Sequence, residues 1–198
     1  MFPTTFMATL EERPETSFLP DFLKAEAASA LFAALERDVV WDERIKARKT
    51  ACFGQTYDDS GIDYAVVPML AVLVPICEAV ANTLGFYPTN CLANYYESGQ
   101  SSMGFHSDAI HNLAENTGVA ILSLGAEREL VFRSKTNFDV KIKYSLPHGS
   151  LLYMTQTTQL HWQHALKKTS STGARMSLTF RHILSPDECL LRSAKPPP

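Results

Sequence analysis

The sequence predicts an α+β fold that is mainly β, with two N-terminal helices buttressing an antiparallel double sheet. Three observations lead there. Helical spacing of apolar residues is confined to two segments before Gly85. From Pro88 onward, short β-rich runs follow one another with turn residues between them. Many short strands without intervening helices read as a sandwich or barrel. The last run, Arg175-Met176-Ser177-Leu178-Thr179-Phe180-Arg181, alternates polar and apolar residues at the period of a strand.

Residues 1–18, with Pro3 and Pro14, read as irregular. A first helix is expected over Lys24 to Asp38, where Leu31, Phe32 and Leu35 fall on one face of an Ala-rich segment. Trp41 to Gly61 reads as strand and loop, with turn chemistry at Asp58-Asp59-Ser60. A second helix is expected from Val67 to Leu84, opened by Pro68, kinked at Pro75 and capped by Gly85. Strands follow at Cys91–Glu97, Gly118–Leu124, Glu129–Arg133, Val140–Tyr144, Ser150–Thr155, His161–Leu166 and Arg175–Ile183. The Pro-rich end, Lys195 to Pro198, reads as disordered.

Composition narrows the function classes. A hydrophobic fraction of 45% in 198 residues suits one globular domain. No long uncharged apolar run and no secretory signal pattern occur, so no membrane association is expected. Cys52, Cys77, Cys91 and Cys189 lack C-x-x-C spacing and read as reduced thiols, which points to a cytoplasmic, nuclear or nucleoid setting. The net charge of −3 gives no global attraction to nucleic acid. Nothing in the sequence indicates a protein partner.

Two constellations carry chemistry. In the final strand, Arg175, Ser177, Thr179 and Arg181 share one face. Two guanidinium groups on one rigid element suit a small dicarboxylate, because each fork pairs with a carboxylate through two bonds. Upstream, His106-Ser107-Asp108 places an imidazole and a carboxylate on one side of an extended segment. Two His and one carboxylate form the facial triad of non-haem Fe(II) oxygenases. The third ligand must come from His111, His148, His161, His164 or His182. His164 is preferred, because it lies one strand before the arginine strand between Trp162 and Leu166. His161 would face the other way, His182 lies on the apolar face of the arginine strand, and His111 and His148 fall in loops.

Together these residues resemble the AlkB family of Fe(II)- and 2-oxoglutarate-dependent dioxygenases, most of all the branch with the animal DNA-repair homologues. The resemblance runs from about Arg48 to Ile183. It rests on Arg48 to Gly54, Asn94-Tyr95-Tyr96, His106-Ser107-Asp108, Ser123 to Ala126, His148 to Leu152, Trp162-Gln163-His164 and the arginine strand. It implies a double-stranded β-helix (jelly-roll) core at about 90–184 and a nucleotide-recognition lid at about 41–61. Both would lie within one domain at 19–188, followed by a flexible tail at 189–198.

By this resemblance His106, Asp108 and His164 hold Fe(II). Asn94, Tyr96, Arg175, Ser177, Thr179 and Arg181 contact 2-oxoglutarate, with Ser177 standing where relatives often have Asn. O₂ is the second co-substrate, and succinate, CO₂ and formaldehyde are the products of demethylating an alkylated DNA or RNA base. Lesions such as 1-methyladenine and 3-methylcytosine are the expected targets, with the base flipped into the site.

Arg44, Lys46, Arg48 and Lys49 form a local basic cluster that could meet phosphates. Tyr57 matches an aromatic that flanks the base. Two residues depart from the family. Asp59 replaces a second aromatic, and Ile110 replaces an acidic residue near the base edge. These departures and the acidic pI keep open the same oxygenase chemistry on a small molecule or protein. A non-enzymatic jelly-roll binding protein is the reading from another class, and the complete triad argues against it.

Overall fold

The computed structural model describes residues 13–57, 61–62, 64–170 and 173–193. Among the described residues, ten strands and four helices follow one another in an order close to the sequence reading. The strands are β1 (Thr16–Leu19), β2 (Lys49–Gly54), β3 (Asn90–Tyr96), β4 (Met103–His106), β5 (Gly118–Gly125), β6 (Arg128–Ser134), β7 (Lys141–Leu146), β8 (Leu151–Thr155), β9 (Trp162–Leu166) and β10 (Arg175–Arg181). The helices are α1 (Ala25–Asp38), α2 (Val74–Leu84), α3 (Gln156–His161) and α4 (Pro186–Ser193).

The strands form two antiparallel sheets. The larger runs β1-β8-β5-β10-β3-β2, and the smaller runs β4-β9-β6-β7. Period-2 alternation in β10 decides how the layers fill. Met176, Leu178 and Phe180 join Leu31 and Leu35 of α1 and Cys77 and Val80 of α2 in one core behind the larger sheet. Leu92, Val119, Ile121, Leu130, Phe132 and Leu152 form a second core between the sheets. Arg175, Ser177, Thr179 and Arg181 therefore project into the space between the sheets, flanked by β3 and β5.

Several boundaries differ from the sequence reading, for identifiable reasons. Residues 16–18 are not irregular: β1 pairs with β8, Thr16 opposite Met154, a partner remote in sequence. The second helix begins at Val74 after a 3-10 turn at Ala71–Leu73, and Pro75 sits in its first turn instead of kinking it. Pro is suited there because its missing N–H has no helical acceptor to lose. Gly85 caps the helix as expected, with φ of 79° and its N–H bonded to Ala81 O.

The strand expected at His161 is preceded by α3, which Thr155 caps by accepting from the Thr158 N–H. The expected tail is helical from Pro186 to Ser193, and Arg192 Nη1 donates to Leu113 O at 2.9 Å. Lys195 to Pro198, like Asp58, Asp59 and Ser60, lie outside the described residues. Among the described residues, no helix is long and apolar enough to cross a membrane.

Gly125 ends β5 with φ of 85°, where an L side chain is strained. An added Cβ would lie 2.4 Å from Ala174 O. This close approach sets the start of β10, and so the position of Arg175.

Candidate metal centre and co-substrate pocket

The smaller sheet brings the two histidines together. His106 on β4 lies directly opposite His164 on β9. Their rings are 4.3 Å apart. Asp108 follows β4 in irregular chain, and its Oδ2 lies 3.6 Å from His164 Nε2. One ligand-capable atom from each of the three residues lies within 4.8 Å of the others. Among the described residues this is the one group of three or more His, Cys, Asp or Glu side chains able to hold a metal ion. His111, His148 and His161 do not join it, and His148 instead accepts from the Gly125 N–H at 2.9 Å.

The donor chemistry fits a divalent metal. His106 Nδ1 bonds Gly104 O at 2.9 Å. A carbonyl only accepts, so Nδ1 carries the proton and Nε2 keeps its lone pair, the tautomer a ligand needs. His164 is 4% exposed, and burial, reinforced by His106, pushes its pKa down to about 3 against the pull of Asp108. It is neutral at physiological pH. Asp108 Oδ2 is buried with no hydrogen-bond partner. Burial acts to raise the Asp108 pKa, but the charge and hydrogen bond of Arg181 outweigh it and hold the group well below the usual carboxylate range. A buried carboxylate oxygen with no donor, facing a neutral imidazole, is what a cation would satisfy.

The pocket beside this cluster is built from facing strands. Arg175 stands opposite Tyr96, and Ser177 opposite Asn94. These four, with Thr179, Arg181, Met103, Leu92, Ile121, Leu130 and Leu166, line one cavity with His106, Asp108 and His164. All nine residues expected from the sequence to bind metal or 2-oxoglutarate therefore line a single cavity.

The two arginines are differently placed. Arg175 is 1% exposed, donates from Nη2 to Ser123 Oγ at 2.9 Å, and has a buried Nε with no partner. No carboxylate among the described residues pairs with it. Burial lowers its pKa to about 10, so it stays charged at neutral pH. A buried cation in this state is one that a carboxylate from outside the chain would match. Arg181 is also 1% exposed, but its Nη2 donates to Asp108 Oδ1, and its guanidinium stacks 3.8 Å from the Tyr57 ring centroid.

The residues expected to meet the substrate are placed otherwise than the sequence implied. Tyr57 is 6% exposed. Its hydroxyl donates to Asp108 Oδ1 at 3.2 Å and accepts from the Ala109 N–H at 3.0 Å. Arg181 covers a face of its ring, so that face is not open to a base. Arg48 is buried, with Nε donating to Asn94 Oδ1 at 2.6 Å. Arg44 pairs with Asp42 at 2.5 Å, and Lys49 bridges Glu43 and Glu97 at 2.8 and 3.0 Å. Two of the four cations at 44–49, Arg44 and Lys49, are thus met by acids. Ile110 packs against the core between the sheets. Sequence reasoning missed Gln159, whose Oε1 accepts the Asp108 N–H at 2.9 Å. No local pattern announces it, because the contact spans 51 positions.

Comparison with known proteins decides the family. The 2OG-Fe(II) oxygenase superfamily pattern matches residues 15–181. DNA oxidative demethylase ALKBH2 of Bos taurus is 34% identical, over 82% of this chain and 66% of its own length. ALKBH2 of Homo sapiens is 33% identical, over 86% of this chain and 74% of its own. The chain belongs to the AlkB family of 2OG-Fe(II) oxygenases. Alpha-ketoglutarate-dependent dioxygenase alkB homolog 3 of Bos taurus is 29% identical, over 83% of this chain and 64% of its own length. The solved structure of OsALKBH1 shares the fold, with a TM-score of 0.64 at 17% identity, covering 87% of this chain and 99% of that one.

The AlkB fold accounts for the jelly-roll arrangement of the two sheets. As an AlkB-family oxidoreductase, this chain uses Fe(II), 2-oxoglutarate and O₂.

Proposed function

We propose that the chain is an oxidative demethylase of alkylated nucleic-acid bases. His106, Asp108 and His164 hold Fe(II), and Asn94, Tyr96, Arg175, Ser177, Thr179 and Arg181 bind 2-oxoglutarate. The observation that carries this reading is a coincidence of two facts. The likeness to DNA oxidative demethylases runs along most of the chain, and the chain keeps the whole polar cavity.

Bound Fe(II) with 2-oxoglutarate and O₂ supplies the oxidising power to convert an N-methyl group to N-hydroxymethyl, leaving succinate and CO₂. The hydroxymethyl group then leaves as formaldehyde, and the ring nitrogen recovers its proton or lone pair. The protein's own share is positioning. Arg175 takes one carboxylate of the co-substrate within the cavity. Arg181 holds Asp108 in its ligating orientation. Leu92, Ile121, Leu130 and Leu166 keep the space between them dry.

The nucleic acid is assigned to the outer face of the smaller sheet. Arg133 lies between two rings, 3.9 Å from the Phe105 centroid and 4.4 Å from that of Phe138, and Lys167 sits 4.2 Å from Phe105. Lys141 stands opposite Arg133, and Phe138 is 57% exposed. Cations interleaved with aromatics suit a phosphate backbone and an unstacked base. Phe105 precedes His106 on β4, so this face is the opposite side of the smaller sheet from the metal cluster. Cys52, Cys77, Cys91 and Cys189 are thiols and not disulfides, which fits a reducing compartment.

The test is incubation of Fe(II)-loaded protein with 2-oxoglutarate, O₂ and oligonucleotides carrying 1-methyladenine or 3-methylcytosine. Mass spectrometry follows base and succinate together. Demethylation matched by succinate is the expected result. Succinate alone would move the substrate to a small molecule or protein.

Two variants test the parts. Arg175→Met is expected to weaken 2-oxoglutarate binding roughly 10- to 150-fold, equivalent to a charged hydrogen bond of about 1.5–3 kcal/mol. Unchanged binding by calorimetry would remove Arg175 from the site. The double variant Lys141→Gln, Lys167→Gln is expected to flatten the salt dependence of single-strand binding by roughly 1.4 log units per decade, about 0.7 per cation. An unchanged slope in fluorescence anisotropy would place the nucleic acid elsewhere.

A further inference from the structure

The segment that carries Asp108 is not part of a strand. β4 ends at His106, and residues 107–110 have no regular structure. A ligand on irregular chain needs its backbone held by something else. Three side chains hold it. Ser107 Oγ donates to Trp162 O at 2.8 Å, Tyr57 accepts the Ala109 N–H, and Gln159 accepts the Asp108 N–H itself at 2.9 Å.

Gln159 differs from the other two in its own support. It is 2% exposed on α3, a helix that interrupts the strands between β8 and β9. That helix is fastened on several sides. Thr158 Oγ1 donates to Glu15 O at 2.7 Å, and Gln156 Nε2 donates to Ala114 O and Thr117 O at 2.8 and 3.0 Å. Lys135 Nζ donates to Gln159 O at 2.8 Å. The Gln159 amide nitrogen meets Met154 Sδ at 3.6 Å, a weak acceptor that leaves the carbonyl end aimed at Asp108.

We infer that Gln159 is a positioning residue for the metal centre. Its carbonyl fixes the Asp108 backbone so that the Asp108 carboxylate meets His106 and His164 in ligating register. The inference rests on the reading of these three residues as the metal ligands. Outer contacts of this kind typically carry 10- to 100-fold in metal affinity when removed.

The experiment measures Mn(II) binding to the full chain by electron paramagnetic resonance, without 2-oxoglutarate or nucleic acid. Gln159→Met keeps the length of the side chain and its contact with Met154 but removes the acceptor. Mn(II) affinity is expected to fall about 10- to 100-fold. Gln159→Glu keeps an acceptor and is expected to stay within a few-fold of the parent. Gln156→Met is the control for α3 as a whole. It loses the bonds to Ala114 and Thr117 without touching Asp108, and is expected to retain Mn(II) affinity.

The Fe(II)–2-oxoglutarate charge-transfer absorption under argon is a second readout, expected to weaken in Gln159→Met alone. Should Gln159→Met fail to fold, Gln159→Asn shortens the reach by one methylene and is expected to show the same loss. Parental affinity in Gln159→Met, or in its place Gln159→Asn, would overturn the inference. So would an equal loss in Gln156→Met, which would make the effect one of helix stability. Failure of the unaltered chain to bind Mn(II) would instead overturn the reading of the metal ligands.

Discussion

Replacing His164 by alanine is expected to abolish 2-oxoglutarate turnover while leaving a folded domain. His164 offers one of three atoms able to ligate a metal, and the remaining pair, His106 and Asp108, cannot form a facial triad. The imidazole makes no strong protein hydrogen bond that the fold depends on. Its ring packs 5.8 Å from Phe132 and faces the Asp108 carboxylate at 3.6 Å. Truncation removes buried volume at a site that already adjoins a cavity, so a cost of about 1–2 kcal/mol is expected. For a chain of this size that lowers Tm by roughly 2–8 °C. Succinate production and Mn(II) binding should both fall below detection while the far-ultraviolet circular dichroism is unchanged. Normal turnover in the variant would sink the ligand assignment.

Replacing Arg181 by methionine is expected to cost more stability than any other single change at the site. Arg181 and Asp108 are both buried, with side chains 2% and 6% exposed. Removing one member of a buried pair strands the other, at about 3–5 kcal/mol. The stranded carboxylate would retain only the Tyr57 hydroxyl at 3.2 Å and its neighbours in the metal cluster. The Tyr57 ring would also lose its stacked guanidinium. The metal-free protein should therefore melt roughly 6–20 °C lower.

Added Mn(II) should return part of that loss, because a cation on Asp108 replaces the missing positive charge and binds only the folded chain. The requirement for 2-oxoglutarate should rise as well. A loss under about 1 kcal/mol, or one that Mn(II) does not reduce, would show that Arg181 is not the counter-charge of the metal-binding carboxylate.

The two arginines illustrate how far a local pattern reaches. Alternation in β10 places Arg175 and Arg181 on one face whatever else the chain does, because a strand has a period of two. The apolar partners Met176, Leu178 and Phe180 then choose which face is inward-packed against the helices. That much is written in seven consecutive residues. What separates the arginines is their neighbours. Arg175 meets Ser123 on β5, and Arg181 meets Asp108 some 73 positions earlier. Alternation cannot distinguish a guanidinium kept for a ligand from one already paired with a carboxylate.

The lid residues make the same point in the opposite direction. Arg44, Arg48 and Lys49 read as a basic cluster because the eye weighs cations along the chain. Two of their counter-charges, Asp42 and Glu43, were equally close, but Glu97 and Asn94 arrive only through the pairing of β2 with β3. Tyr57 reads as a base-stacking aromatic, yet folding seats its hydroxyl on Asp108 and its ring under Arg181. The basic and aromatic face on the smaller sheet was invisible in sequence. Phe105, Lys167 and the pair Arg133 and Phe138 come from three separate segments.

The sequence by itself determined the mainly β architecture, the two buttressing helices, the polar face of the last strand and the His-x-Asp pair. Each depends on residues within a turn or a strand of one another, where backbone periodicity alone sets direction. Tertiary structure decided how close His164 comes to His106 and Asp108, which arginine pairs with Asp108, where the cations are neutralised and what holds Asp108 in place. Most of those outcomes depend on strand register and on side chains 46 or more positions apart, and no local periodicity encodes such pairings.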